Sequence, residues 1–215
     1  MQIDVLVWSR YLQPGEVVIS PTENGKIYRV GLYRHWDMTM IQTLNVLDWL
    51  DSQNTYEAIW GHYLFPAGFL AVWFAKLKGL PSVVSARGND IDREIFPPGD
   101  FSRLQWSLSN AALITAVSHD LACKIKLLAG REDVIVLHNA VDTDIFNPRL
   151  SLSEKLSLRQ SLGISENEIV LGFSRELREK KGQAFLFKAL TKVRHYHPCC
   201  LLIIGQIRNP QDSWL

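Results

Sequence analysis

The chain has 215 residues, 47% apolar and 21% charged, an ordinary globular composition with room for one large domain or parts of two. Its net charge of +1 gives no bulk electrostatic case for nucleic acid. Three cysteines, Cys123, Cys199 and Cys200, form no disulfide or metal-ligand framework and fit a reducing, cytoplasmic setting.

Apolar runs that suit strands fall at residues 3–8, 27–32, 58–60, 82–85, 113–116, 134–137, 169–173 and 201–204. The N-terminus carries Asp4 where a signal peptide would grow its apolar core. Between the strands, Trp36, Met40, Leu44, Leu47 and Leu50 keep helix spacing. The longest apolar run, residues 64–75, is too short to span a bilayer and suits a buried helix, with Pro66 near its start and Lys76 and Lys78 at its end. Ser118 is a natural N-cap for residues 120–128, and Gly130 stops that helix. Asn147-Pro148 closes a first unit of residues 1–150. A polar linker, 151–167, follows, and residues 168–215 restart the β/α pattern, with Phe185, Leu186, Ala189, Leu190 and Val193 at helix spacing.

Alternating strands and helices predict an α/β fold with a mostly parallel sheet covered on both faces, and Trp49, Trp60 and Trp73 in its core. Ligands of such sheets bind outside the carboxyl ends of the strands. Four segments follow strands and should open onto one edge: Gly61-His62-Tyr63, Arg87-Gly-Asn-Asp90, Ser118-His119 and His138-Asn139. In the second unit, Phe173-Ser-Arg-Glu-Leu-Arg-Glu-Lys-Lys-Gly182 joins a strand to a helix. Helix N-termini attract anions, and Arg175, Arg178 and Lys181 add full positive charge there. The expected object is a phosphate or diphosphate cradle.

Taken together, these segments resemble the group 1 nucleotide-sugar glycosyltransferases, a retaining family with two facing Rossmann-like domains. Tyr56-Glu-Ala-Ile-Trp-Gly-His62 looks like the family's strand ending in histidine, Pro66-Ala-Gly68 like the start of its next helix, and Gly79-Leu-Pro-Ser-Val-Val-Ser85 like its G-x-P strand. Arg87-Gly-Asn-Asp90 looks like its H-G-x-D turn, Ala116-Val-Ser118 like its V-S cap, and residues 136–148 are similar to its I-P-N-G-V-D-x-x-x-F-x-P segment. Residues 174–182 look like its G-R…K-G loop. The motifs are weak singly, and their shared order and spacing over residues 56–205 make the resemblance specific.

The resemblance implies a GT-B type fold and sugar transfer, with retention, from a nucleoside diphosphate sugar to a carbohydrate or lipid-linked acceptor. No other cofactor, metal or nucleic acid is implied, and the setting is cytoplasmic, with peripheral association at a membrane surface left open. It implies catalytic positions at Arg87, Asp90 and His62, diphosphate contacts from Lys181 and one of Arg175 and Arg178, and further cleft residues Gly88, Asn89, Ser118 and Asn139. Arg87 stands where many members carry histidine, which shifts the expectation there from acid/base work to an anion or carboxylate contact. Ala140 replaces the family's glycine. Residues 3–8 look like the family's second strand, and its downstream Glu-x7-Glu segment has no counterpart, so the chain is expected to be an incomplete slice, inactive alone. A non-catalytic remnant or phosphate-binding module is the alternative. A dinucleotide-dependent oxidoreductase is disfavoured, because no G-x-G-x-x-G follows any strand.

Overall fold

The computed structural model describes residues 2–88, 90–91, 98–174, 177 and 182–205. The chain divides into two compact units, Met1–Ala140 and Val141–Leu215. The first opens with β1 (Val5–Ser9), β2 (Val17–Thr22) and β3 (Gly25–Gly31). These form a sheet in the order β1-β3-β2, with β1 parallel and β2 antiparallel to β3. β2 was not among the expected strands, because Pro21 interrupts its pattern. At the sheet edge, opposite Lys26, a proline removes no ladder bond that the fold needs.

Helix α1 (Trp36–Gln53) lays Val46 and Leu50 on this sheet, against Tyr28 and Val30, while Met40 clusters with Phe65 and Leu70. The Trp8 indole donates to Thr43 Oγ1 at 2.9 Å, and the Tyr56 hydroxyl donates to Asp4 Oδ2 at 2.7 Å, tying the approach to the next strand to the start of β1.

The second sheet is parallel throughout, in the order β4-β5-β6-β7: Ile59–His62, Ser82–Ala86, Leu113–Ala116 and Val134–Val136. Its connections are α2 (Phe69–Lys78), α3 (Pro98–Asn110) and α4 (His119–Ala129). α3 adds to the elements expected from the pattern. Gly61 faces the turn into α2 so closely that a Cβ there would stand 2.6 Å from Gly68 Cα, which only glycine permits.

The largest core lies between this sheet and its helices. Val84, Ala86, Ile114 and Ala116 point into Val72 of α2, Leu104 and Leu108 of α3, and Leu121 and Ile125 of α4. The register puts Trp60, Val83, Ser85, Thr115 and Ile135 on the opposite face. Trp60 and Ile135 are each 51% exposed there. The helix layer among the described residues therefore covers one face, not both as expected. Uniformly apolar strands do not distinguish a helix on each face from helices on one face with a tryptophan folded over the other. Trp49, Trp60 and Trp73 are all exposed rather than core, although Trp49 meets the buried Tyr28 ring edge-on at 6.2 Å.

In the second unit, β8 (Ile169–Ser174) and β9 (Cys199–Ile204) pair in parallel around α6 (Gln183–Val193). Before them comes α5 (Leu152–Ser161). Ser151 and Glu154 form a reciprocal capping box at its start, and it buries no side chain. The Arg159 guanidinium donates to the Ser165 carbonyl at 2.6 Å and to that of Glu168, clamping the turn into β8. The chain is an α/β protein with a Rossmann-like four-stranded parallel sheet, a mixed sheet before it and a parallel strand pair in the second unit.

Candidate functional site

Four parallel strands end together, so the residues that follow them share one edge. His62 closes β4, and Arg87 follows β5 by one residue. Val117 and Ser118 follow β6, and His138 and Asn139 follow β7. The ladder continues past the strands: Tyr63 N–H donates to Ser85 O, Val117 N–H to Ala86 O, and Leu137 N–H to Ala116 O, at 2.8–3.2 Å.

Arg87 is the hub. One guanidinium nitrogen bonds His62 Nδ1 at 3.3 Å, and the other donates to Asn139 Oδ1 at 2.7 Å. Both partners are neutral, and no carboxylate among the described residues pairs with this guanidinium. An arginine can only donate, so His62 Nδ1 accepts and the imidazole carries its proton on Nε2. Burial first, and then the charge of Arg87, hold the His62 pKa below its ordinary value. Trp60 stacks under the ring with centroids 4.8 Å apart, and its indole donates to Ser85 Oγ at 2.7 Å. Ser85 in turn bonds Thr115 Oγ1 at 2.5 Å. Replacing Arg87 with glutamine should raise the His62 pKa toward the usual histidine range. An NMR titration of the His62 ring that finds no rise would separate the two side chains electrostatically.

Asp90 lies beneath the site rather than in it. It is 5% exposed. Its Oδ2 accepts from the backbone N–H of Arg87 at 3.0 Å and of Leu64 at 3.2 Å, and its Oδ1 has no partner among the described residues. The carboxylate thus joins the turns after β4 and β5. Tyr63, in the first of them, is the one described non-glycine residue with positive φ, at 73°. Ala140 therefore carries no left-handed strain. Gly88, in the second turn, has φ 133°, a conformation that favours glycine.

Ser118 caps α4, accepting from Leu121 N–H at 3.2 Å. His138 Nδ1 donates to Val117 O at 3.0 Å, and its ring meets that of His119 edge-on at 5.7 Å. His119 and His138 follow β6 and β7, in two of the segments expected to open onto this edge. The structure thus brings His62, Arg87 and Asn139 together, with Asp90 as their buried support and Ser118 as a helix cap. Asn89, Arg175, Arg178 and Lys181 lie outside the described residues.

Comparison with known proteins agrees with this architecture. The D-inositol 3-phosphate glycosyltransferase of Stackebrandtia nassauensis is 26% identical over 154 residues, which cover 66% of this chain and 33% of that protein. The uncharacterized glycosyltransferase MJ1607 of Methanocaldococcus jannaschii is 31% identical over 74 residues, covering 34% of this chain and 19% of it. Among solved structures, Anabaena Alr3699/HepE in complex with UDP and glucose superposes with a TM-score of 0.65 at 20% identity, covering 84% of this chain and 48% of that one. The α,α-trehalose 6-phosphate synthase of Burkholderia multivorans gives a TM-score of 0.65 at 14% identity, covering 97% and 59%. The chain spans a third or less of these curated relatives and about half of HepE. These structural likenesses establish a GT-B fold. The model of glycosyltransferase family 4 matches residues 2–145, most of the chain and the whole edge that carries Arg87, so the chain belongs to that family.

Proposed function

We propose that this chain takes part in transferring a sugar, with retention, from a nucleoside diphosphate sugar to a carbohydrate or lipid-linked acceptor. The observation that carries this reading is Arg87: a cation whose hydrogen-bond partners among the described residues are neutral, at the carboxyl edge of a parallel sheet, in a family whose members transfer sugars. That HepE is solved with UDP and glucose supports a uridine nucleotide as donor. The His62 Nε2–H and the Arg87 guanidinium would offer a neutral donor and a charged donor to sugar hydroxyls or phosphate oxygens. Charge that develops on a departing diphosphate is best met by preorganised cations. Lys181, with Arg175 or Arg178, would serve there, in the segment that leads to α6. That helix starts after Gly182 with no side-chain cap on its N–H groups. The acceptor side would include His62, Arg87, Gly88, Asn89, Ser118 and Asn139, with Asp90 supporting them.

Each of Arg175→Ala, Arg178→Ala and Lys181→Ala should weaken UDP binding about ten- to a hundredfold if its side chain holds the diphosphate, from ~1.5–3 kcal/mol per charge-assisted contact. Calorimetry with all three affinities unchanged would remove the diphosphate assignment. Arg87 in place of histidine also favours a second reading, a module that binds the donor without turning it over. UDP-sugar binding without transfer or donor hydrolysis would select it. No helix among the described residues is long and apolar enough to cross a membrane. Contact with a lipid-linked acceptor would then be peripheral.

A further inference from the structure

Ser85 and Thr115 sit side by side in the four-stranded sheet, paired in register and buried, at 3% and 6% exposure. Their neighbours along the strands, Val84, Ala86, Ile114 and Ala116, are apolar. Buried hydroxyls cost stability unless they are bonded. These two bond each other at 2.5 Å, and Thr115 gives its proton to the Val84 carbonyl at 3.5 Å. Ser85 then donates to Thr115, and its oxygen is left to accept. What it accepts is the Trp60 indole N–H, at 2.7 Å.

Trp60 is half exposed, and a half-exposed tryptophan on a strand has more than one rotamer open to it. Here the hydrogen bond selects one. Trp60 stands opposite Val83 and reaches diagonally, toward the carboxyl edge, to Ser85. Ser85 itself stands opposite His62. The bond therefore draws the indole to the His62 position, where the two rings stack, 4.8 Å apart and 23° from parallel. Apart from this stack, His62 is held by the 3.3 Å bond from Arg87 to Nδ1. A bond at one ring atom lets the imidazole plane swing about it. A ring stacked on its face does not.

We propose that Ser85, anchored by Thr115, is a positioning residue: it holds Trp60 against His62 and so sets the plane of the imidazole and the direction in which its Nε2–H points. A hydrogen bond weakens steeply off line, so that direction governs how well the ring can donate to a sugar hydroxyl or phosphate oxygen at the carboxyl edge. This use of Nε2–H rests on the glycosyltransferase reading above. If Trp60 served only to cover the sheet, its apolar area would suffice. Cover needs neither the indole N–H nor two buried hydroxyls to receive it.

The test is NMR of the 215-residue chain with labelled histidine, the His62 ring being identified by its loss in His62→Gln. A stacked indole shields the protons it covers, so the carbon-bound ring protons of His62 should lie upfield of those of exposed histidines. Ser85→Ala should move them downfield. It should also speed exchange of the Trp60 indole proton with water by about fivefold or more, the factor that one lost hydrogen bond of ordinary strength allows. In a Trp60→Phe background there is no indole N–H to hold, so Ser85→Ala should move the His62 protons no further. Both substitutions leave an apolar side chain in place. Trp60→Phe alone removes the same bond from the exposed side and should itself move the His62 protons, which serves if Ser85→Ala melts early. His62 protons unmoved by loss of this bond would overturn the proposal. So would equal effects of Ser85→Ala in the two backgrounds, which would make Ser85 a cross-strand neighbour of His62 and nothing more. The measurement uses no donor, so failure of the unaltered chain to bind UDP would count against the glycosyltransferase reading alone.

Discussion

Leu108→Ala should destabilise the first unit by about 3–4 kcal/mol, toward the upper part of the range for buried leucines. Leu108 is fully buried in α3, in the cluster formed with Leu104, Val84, Ile114 and Ile125. The neighbours are backbone-anchored strands and helices on several sides, so the cavity has little room to collapse. The end of α3 is also held from outside, since Arg131 donates to the Leu108 and Ala111 carbonyls at 3.1 and 2.7 Å. Urea denaturation reads the loss, with Ile41→Ala as the exposed control expected to cost under about 1 kcal/mol. Equal effects of the two substitutions would mean that the sheet and its helices are not tightly packed.

Asp90→Ala should cost nearly as much, about 2–3 kcal/mol, by a different route. It strips the acceptor from two backbone N–H groups, those of Leu64 and Arg87, in a buried place. The turns after β4 and β5 would loosen, and the 3.3 Å contact between Arg87 and His62 with them. The carboxyl itself has an unfavourable side. Burial raises its pKa above the ordinary 3.8, against the opposing pull of the backbone N–H groups of Arg87, Leu64 and Asp90 itself and of the Arg87 charge. The stability that its protonated form contributes is fully present below about pH 4 and is lost as pH rises through the folded-state value. The stability difference between the native chain and Asp90→Asn should therefore shrink over that window. A difference that stays constant with pH would show that Asp90 ionises in the fold as freely as in water.

The carboxyl-edge residues were legible because parallel strands announce themselves. Each apolar run of the second sheet ends in a polar or glycine residue, and topology alone puts those ends together. His62, Arg87 and Asn139 meet for that reason. Asp90 could be placed by spacing, but its burial could not, since nothing in Arg87-Gly-Asn-Asp90 says which side chain turns inward. The stacking of Trp60 on His62 was hidden for a related reason: a tryptophan in a strand looks like core until its face proves to carry no helix among the described residues. β2 was missed because a proline argues against a strand, and only an edge position excuses it. Family membership was legible through motif order, which survives substitutions such as Arg87 and Ala140 that would defeat any single motif.

Helix α5 has a capping box, a clamp from Arg159 at its far end, and no side chain buried anywhere along its ten residues. Isolated helices of that length are marginal in water. It can unwind and re-form without disturbing any ladder of either unit, at a free energy well below that of global unfolding. A protease needs about that much unwound backbone to cut. Residues 152–161 are thus where the polypeptide is expected to be nicked first, leaving the sheets on either side whole.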